Sequence, residues 1–165
     1  MAPRIVVGVD GSAHSRRALK RAIEEAALRG GTVDAIYVFP PPHRPLSNSL
    51  IGLPYGAGSA ARPVSPDAPA HHPPSPMEEA VARSEREMEQ FVASVVDGST
   101  GPVPRVVAVA DAHPAGVLID ESRNADLLVI GTRGLGGFVG MLLGSVAQHC
   151  IQHARCPMLI LPPED

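Results

Sequence analysis

The chain has no tryptophan and only 3% aromatic residues, so its core has to be assembled from Val, Ile, Leu, Ala and Met. Such a core suits aliphatic parallel strands covered by helices, which points to the α/β class. Lysine is nearly missing as well: Lys20 is the only one among 14 basic residues. Arg must therefore supply the other cationic contacts, although a GC-rich coding bias produces the same skew. The net charge of -3 offers no clustered basic face, so nucleic acid is not an expected partner. Cysteine is scarce too. Cys150 and Cys156 lack the spacing of a disulfide framework or a zinc site, and free thiols in a reducing compartment are the expectation. The apolar run at Ile5 to Val9 is too short for a signal segment or a membrane span. The chain is read as cytoplasmic, without a membrane partner. With 165 residues, 44% of them hydrophobic, it is expected to form one domain over 1–165.

Ile5 to Val9 reads as a strand, Asp10-Gly11-Ser12 as a turn, and Ser12 as the N-cap of a helix. Ala18, Leu19, Ala22, Ile23, Ala26 and Ala27 form the apolar side of that helix, Arg16, Arg17, Lys20, Arg21, Glu24 and Glu25 its outer side, and Gly30-Gly31 its end. Thr32 to Phe39 is a second strand, joined to the first by a right-handed crossover. Residues 40–76 break the pattern with eleven prolines and three histidines. They read as an insertion, either a solvated spacer or a flap, leaving the strand end where open α/β sheets bind ligands.

Periodicity resumes at Met77 to Val96, a helix with Ala80, Val81, Met88, Phe91, Val92 and Val95 as its apolar side. Arg105 to Ala110 is a strand, Pro114 to Asn124 a helix with Val117, Leu118 and Ser122 inward, and Leu127 to Ile130 an apolar strand. Ser145 to Ala154 is the last helix, and Met158 to Leu161 a strand between Pro157 and Pro162. The alternation predicts a doubly wound, five-stranded parallel sheet flanked by helices.

The chemistry concentrates between Gly131 and Ser145, which holds six of the sixteen glycines and joins an apolar strand to a helix start. Glycines let backbone N–H groups approach an anion closely, the helix N-terminus adds partial positive charge, and Ser145 adds a hydroxyl. The spacing excludes both a GxxxxGK[ST] phosphate loop and a GxGxxG dinucleotide fingerprint. Close packing of strand against helix would also call for glycine here. Asp10, at the carboxyl edge of the first strand, can accept from ribose hydroxyls, hold a hydrated Mg²⁺, or cap its own turn.

The chain resembles the universal stress protein family. The resemblance rests on IVVGVDGS at the start, ADLLVIGTRG before the loop, LLGSVAQHCIQHARCPMLIL at the end, and G-x2-G-x9-G-S as Gly131, Gly134, Gly144 and Ser145. That spacing marks the family's ATP-binding branch. The resemblance covers Arg4 to Phe39 and about Met77 to Pro163, and it implies a Rossmann-like fold of the adenine nucleotide alpha-hydrolase kind. It also implies ATP, or ADP or AMP, as the ligand. Asp10 would face the nucleoside with Gly8 and Val9 beside it, and the backbone of Val38 would border the adenine. Ile130 and Gly131 would flank the ribose, and Gly134, Gly144, Ser145 and Val146 would wrap the phosphates.

Arg133 is the single cation of the segment and within reach of a phosphate, a solvated surface state being the simpler one. His149 and His153 share a helical face, but without a third ligand a structural role is the simpler reading, as it is for His71 and His72. Asp111 and His113 are candidates for the rim, with helix capping the simpler role. No nucleophile, cation clamp and metal site occur together, so the expected function is nucleotide-dependent regulation with at most slow hydrolysis. An ATP-hydrolysing or adenylate-transferring enzyme, and a structural dimer without nucleotide, are the alternatives. The short apolar edge strand Met158 to Leu161 predicts a homodimer.

Overall fold

The computed structural model describes residues 2–41, 74–97, 99–135 and 142–162. Most of the Pro-rich stretch, together with His71, His72, Gly98, Gly136, Gly137 and Gly140, lies outside them.

Five strands form one parallel sheet: β1 (Arg4–Val9), β2 (Thr32–Phe39), β3 (Arg105–Ala110), β4 (Leu127–Gly131) and β5 (Met158–Leu161), in the order β3-β2-β1-β4-β5. Four α-helices connect them: α1 (Ala13–Arg29), α2 (Pro76–Val96), α3 (Pro114–Glu121) and α4 (Ser145–His153). The chain winds outward from β1 to β3, then returns beside β1 as β4 and winds the other way. The doubly wound α/β sheet expected from the alternation is therefore present. Its direction reverses between β1 and β4, where sheets of this kind open a crevice at their carboxyl ends.

Period-two alternation divides the core. Ile5, Val7 and Val9 of β1 pack with α1 and α2 on one face, while Val6 packs with Leu118, Ala147 and Cys150 under α3 and α4 on the other. Buried from both sides, Leu127 to Ile130 can be continuously apolar.

Local signals explain most element ends. Ser12 accepts at Oγ from the Ser15 N–H at 3.1 Å, and Gly30 closes α1 at a φ of 62° that favours glycine. Helix α2 starts one residue earlier than its periodicity indicates, because Ser75 and Glu78 form a reciprocal capping box around Pro76. Helix α3 stops at Glu121, and Ser122–Asn124 tightens into a 3₁₀ turn. There the buried Ser122 Oγ donates to Ile119 O at 2.6 Å and accepts from the Arg155 N–H at 2.9 Å. One expectation for α1 fails: Ala27 is exposed and Glu25 is buried. At 3.6 residues per turn position 27 lies further from the centre of the inward stripe, and Glu25 is held there by Arg21 and Arg29, one turn to either side.

Candidate functional site

A cavity of about 310 Å³ opens at the switch point. Its apolar wall combines Gly8, Ile36, Val38, Leu118 and Ile130 from three strands and α3. A Cβ on Gly8 would lie 3.0 Å from Leu118 Cδ1 and 3.4 Å from Ile130 Cγ2, so glycine lets α3 close down on the sheet here. The polar side combines Asp10, Ser15, Thr132, Arg133 and the first turn of α4.

Asp10 is fixed from two directions. Its Oδ1 accepts from the Ser12 N–H at 3.0 Å across Gly11, whose φ of 83° makes the tight turn. Its Oδ2 accepts from the Leu135 N–H at 2.9 Å, tying the end of β1 to the glycine-rich segment.

The three spaced glycines differ in what surrounds them. A Cβ on Gly131 would meet the first turn of α1, 2.9 Å from His14 Cβ and 3.1 Å from His14 O. On Gly134 it would run into Asp10 Oδ2. On Gly144 it would make ordinary contacts, 3.4 Å from Thr132 O and 3.6 Å from Arg133 Cα. Packing among the described residues therefore requires glycine at 131 and 134 but not at 144.

Gly144 is the N-cap of α4 and has already committed its N–H, which donates to Thr132 O at 2.7 Å. The N–H groups with no intrahelical acceptor are those of Ser145, Val146 and Ala147, and all three residues line the cavity. In the same lining Thr132 Oγ1 and Arg133 Nε, and behind Gly131 His14 Nε2, are buried with no hydrogen-bond partner among the described residues. Arg133 lines the wall as a half-buried residue whose Nε is closed off from solvent. Buried polar atoms left unmatched cost about 1–3 kcal/mol each, and sites where several gather suit a polar ligand.

Every residue assigned to the site from sequence lines this cavity: Gly8, Val9, Asp10 and Val38 on one side, Ile130, Gly131, Arg133 and Gly134 in the middle, and Gly144, Ser145 and Val146 on α4. Sequence reasoning missed Ser15, Ile36, Pro114, Leu118, Thr132, Leu135 and Ala147, and the orphaned His14 Nε2 behind Gly131. The signal for Leu118 was present, since an inward residue near the start of α3 has to face the same strand ends.

The universal stress protein family profile matches residues 1–162. The chain belongs to this family. A universal stress protein of Mycolicibacterium smegmatis is 30% identical over 162 residues, which is 96% of this chain and 45% of that protein. The chain thus spans under half the length of the curated relatives it matches. Among solved structures, the universal stress protein UspA of Lactobacillus plantarum superposes with a TM-score of 0.66 at 19% identity, covering 96% of this chain and 97% of that one. The universal stress protein of Archaeoglobus fulgidus in complex with dAMP gives 0.56 at 20% identity, covering 97% of each chain. These likenesses establish the Rossmann-like, adenine nucleotide alpha-hydrolase-like fold.

Within this universal stress protein fold, the other sequence candidates stay apart from the cavity. His113 caps α3 only through its backbone, and its N–H donates to Asp111 Oδ1 at 2.7 Å on the exposed rim. His149 and His153 lie with ring centroids 5.0 Å apart and planes tilted by 52° on the outer face of α4, and no group of three or more metal-ligating side chains occurs among the described residues. No helix among the described residues is long and apolar enough to cross a membrane. Burial pushes the Cys150 thiol up to about 11, and burial also raises that of Cys156. Both thiols are therefore protonated at pH 8, and the folded protein is expected to resist iodoacetamide for hours, while protein unfolded in urea is alkylated at both within minutes.

Proposed function

We propose that this chain binds an adenine nucleotide, ATP or its ADP or AMP forms, in the switch-point cavity, and serves as a regulatory stress-response protein rather than a catalyst. The observation that carries this reading is the pair of buried polar atoms, Thr132 Oγ1 and Arg133 Nε, without partners among the described residues, in one lining with the α4 N–H groups that have no intrahelical acceptor. Opposite them lies an apolar wall the width of three strands. An aromatic base can be desolvated against Ile36, Val38, Leu118 and Ile130, while phosphate oxygens accept from Ser145, Val146 and Arg133. Asp10 has oxygen lone pairs left over for ribose hydroxyls. If Mg²⁺ accompanies the nucleotide, this same carboxylate faces its hydration shell. The A. fulgidus relative, solved with dAMP, is a precedent for a ligand of this class in this fold.

Regulation is favoured over turnover because, among the described residues, the cavity lining pairs no second acid or base with Asp10. Apart from Arg133, no cationic side chain lines it among the described residues. Calorimetric titration with ATP tests the binding: saturable binding is expected, weakened about tenfold in Ser145→Ala by loss of one hydrogen bond to a charged group. Phosphate release far below an ordinary turnover of about 10 per second is expected alongside. Turnover at enzyme rates that Asp10→Ala abolishes would make the chain an ATPase instead.

The working unit in this reading is a homodimer joined through the β5 edge. Among the described residues Met158–Leu161 pairs with β4 alone, and its apolar, half-buried residues invite a second copy. Light scattering at micromolar concentration is expected to give twice the chain mass. A monomer would remove this part of the proposal.

A further inference from the structure

Gly134 has none of the usual reasons to be glycine. Among the described residues the left-handed region is occupied only by Gly11 and Gly30, so the backbone at 134 is open to any residue. Its added Cβ would not press on a helix or strand either. Among the described residues the atoms it would meet are Asp10 Oδ2 and, behind it at 3.6 Å, Asp10 Cγ.

The carboxylate is not free to step aside. Oδ1 is held by the Ser12 N–H at 3.0 Å, on a turn locked by Gly11 and continued into α1 by the Ser12 cap. Oδ2 is the acceptor for the Leu135 N–H at 2.9 Å, across 125 positions of sequence. Among the described residues Leu135 makes no other hydrogen bond, and the residue is 77% exposed. A charge-assisted hydrogen bond is therefore what fixes the segment at this point.

We propose that Gly134 is glycine to admit the Asp10 carboxylate, and that the pair latches the Gly134-Leu135 backbone to the end of β1, so that Asp10 sets where these two residues stand at the cavity wall. Asp10 is then a positioning residue acting through the Leu135 amide, in addition to any contact it makes with the nucleotide. The idea rests on the nucleotide reading for its effect on affinity, though not for the latch itself.

A double-mutant cycle separates this role from the alternative, in which Gly134 leaves room for a phosphate. ATP affinity is measured for the full chain, Asp10→Ala, Gly134→Ala and the double variant. Exchange of the Leu135 amide is followed in the same proteins without nucleotide. The latch predicts that Gly134→Ala weakens binding about tenfold in the parent but less than about twofold in the Asp10→Ala background, where nothing remains to collide with. It also predicts that the Leu135 amide exchanges at least about tenfold faster in each single variant. Equal losses from Gly134→Ala in both backgrounds, with unchanged Leu135 exchange, would overturn it. Should the parent bind no ATP, the nucleotide reading fails, and the Leu135 exchange still decides the latch.

Discussion

Replacing Asp34 by alanine is expected to destabilise the fold by about 3 kcal/mol and to lower the melting temperature by about 10 °C. Asp34 is buried in β2 at the amino end of the sheet, opposite the cavity. Its Oδ1 accepts from Arg105 Nε at 2.9 Å, and its Oδ2 accepts from Arg105 Nη2 at 2.9 Å and Arg4 Nε at 2.7 Å. One carboxylate thus ties β1, β2 and β3 together. Its removal leaves the guanidinium groups of Arg4 and Arg105 together with, among the described residues, one carboxylate paired to them, Glu121 at 2.6 Å from Arg4 Nη2, beside weaker bonds from Arg4 to the Glu121 and Asn124 carbonyls. The lower end of the range for a broken buried pair applies because the Arg105 side chain is 69% exposed.

The same network sets an acid limit. Hydrogen bonds from Arg105, and then from Arg4, hold the Asp34 carboxyl below its ordinary value. The unfolded chain therefore takes up its proton at higher pH than the folded one. The stabilisation is fully present above the unfolded value of about 4, shrinks as pH falls through it, and is gone below the folded pKa. Urea midpoints measured from pH 6 down to pH 3 are expected to fall less steeply for Asp34→Asn than for the parent. Parallel curves would show that the ion network is not the acid-sensitive element.

At the other end of the sheet, Gly131→Val is expected to weaken ATP binding more than about thirtyfold while costing about 2 kcal/mol of stability. The new Cβ presses on His14 Cβ and His14 O, and on Arg133 O at 3.2 Å. Backbone atoms cannot swing away as side-chain tips can. The first turn of α1 has to move, and with it the Asp10–Ser12 turn that carries one wall of the cavity. Gly144→Ala is the matched comparison. Its Cβ makes ordinary contacts, so stability should change little, and a drop in affinity there would report the approach of phosphate itself. Calorimetry at low temperature, beside a melting curve for each variant, separates the two effects. Equal affinities for Gly131→Val and the parent would mean that the α1–β4 junction does not shape the site.

How far the sequence foretold these features depends on whether the deciding contact is local. Strand bounds at Thr32–Phe39, Arg105–Ala110 and Met158–Leu161 coincide with expectation, because alternation, Pro and Gly mark them within a few residues. The site residues Asp10 and Gly131 to Val146 were visible for the same reason: they sit at strand ends next to helix starts, where the ligand edge of a doubly wound sheet has to be. Ile36 and the place of His14 behind Gly131 were not, since they come from strand order and from α1 settling on the sheet. The meaning of the glycines was only half visible. The family resemblance put Gly131 beside the ribose and Gly134 and Gly144 at the phosphates, whereas room for His14 explains Gly131, room for Asp10 explains Gly134, and of the three Gly144 is left without a packing reason. Glu25 shows the converse, a charged residue buried because Arg21 and Arg29 lie one turn away on either side.

The central claim is that the cavity between β1 and β4 holds an adenine nucleotide. Mass spectrometry of the small molecules released by denaturing freshly purified protein tests it most directly. The account predicts an adenine nucleotide at a substantial fraction of one per chain, falling sharply in protein carrying Gly131→Val. Release of no nucleotide, together with no heat on titration of the emptied protein with ATP, ADP or AMP, would contradict it.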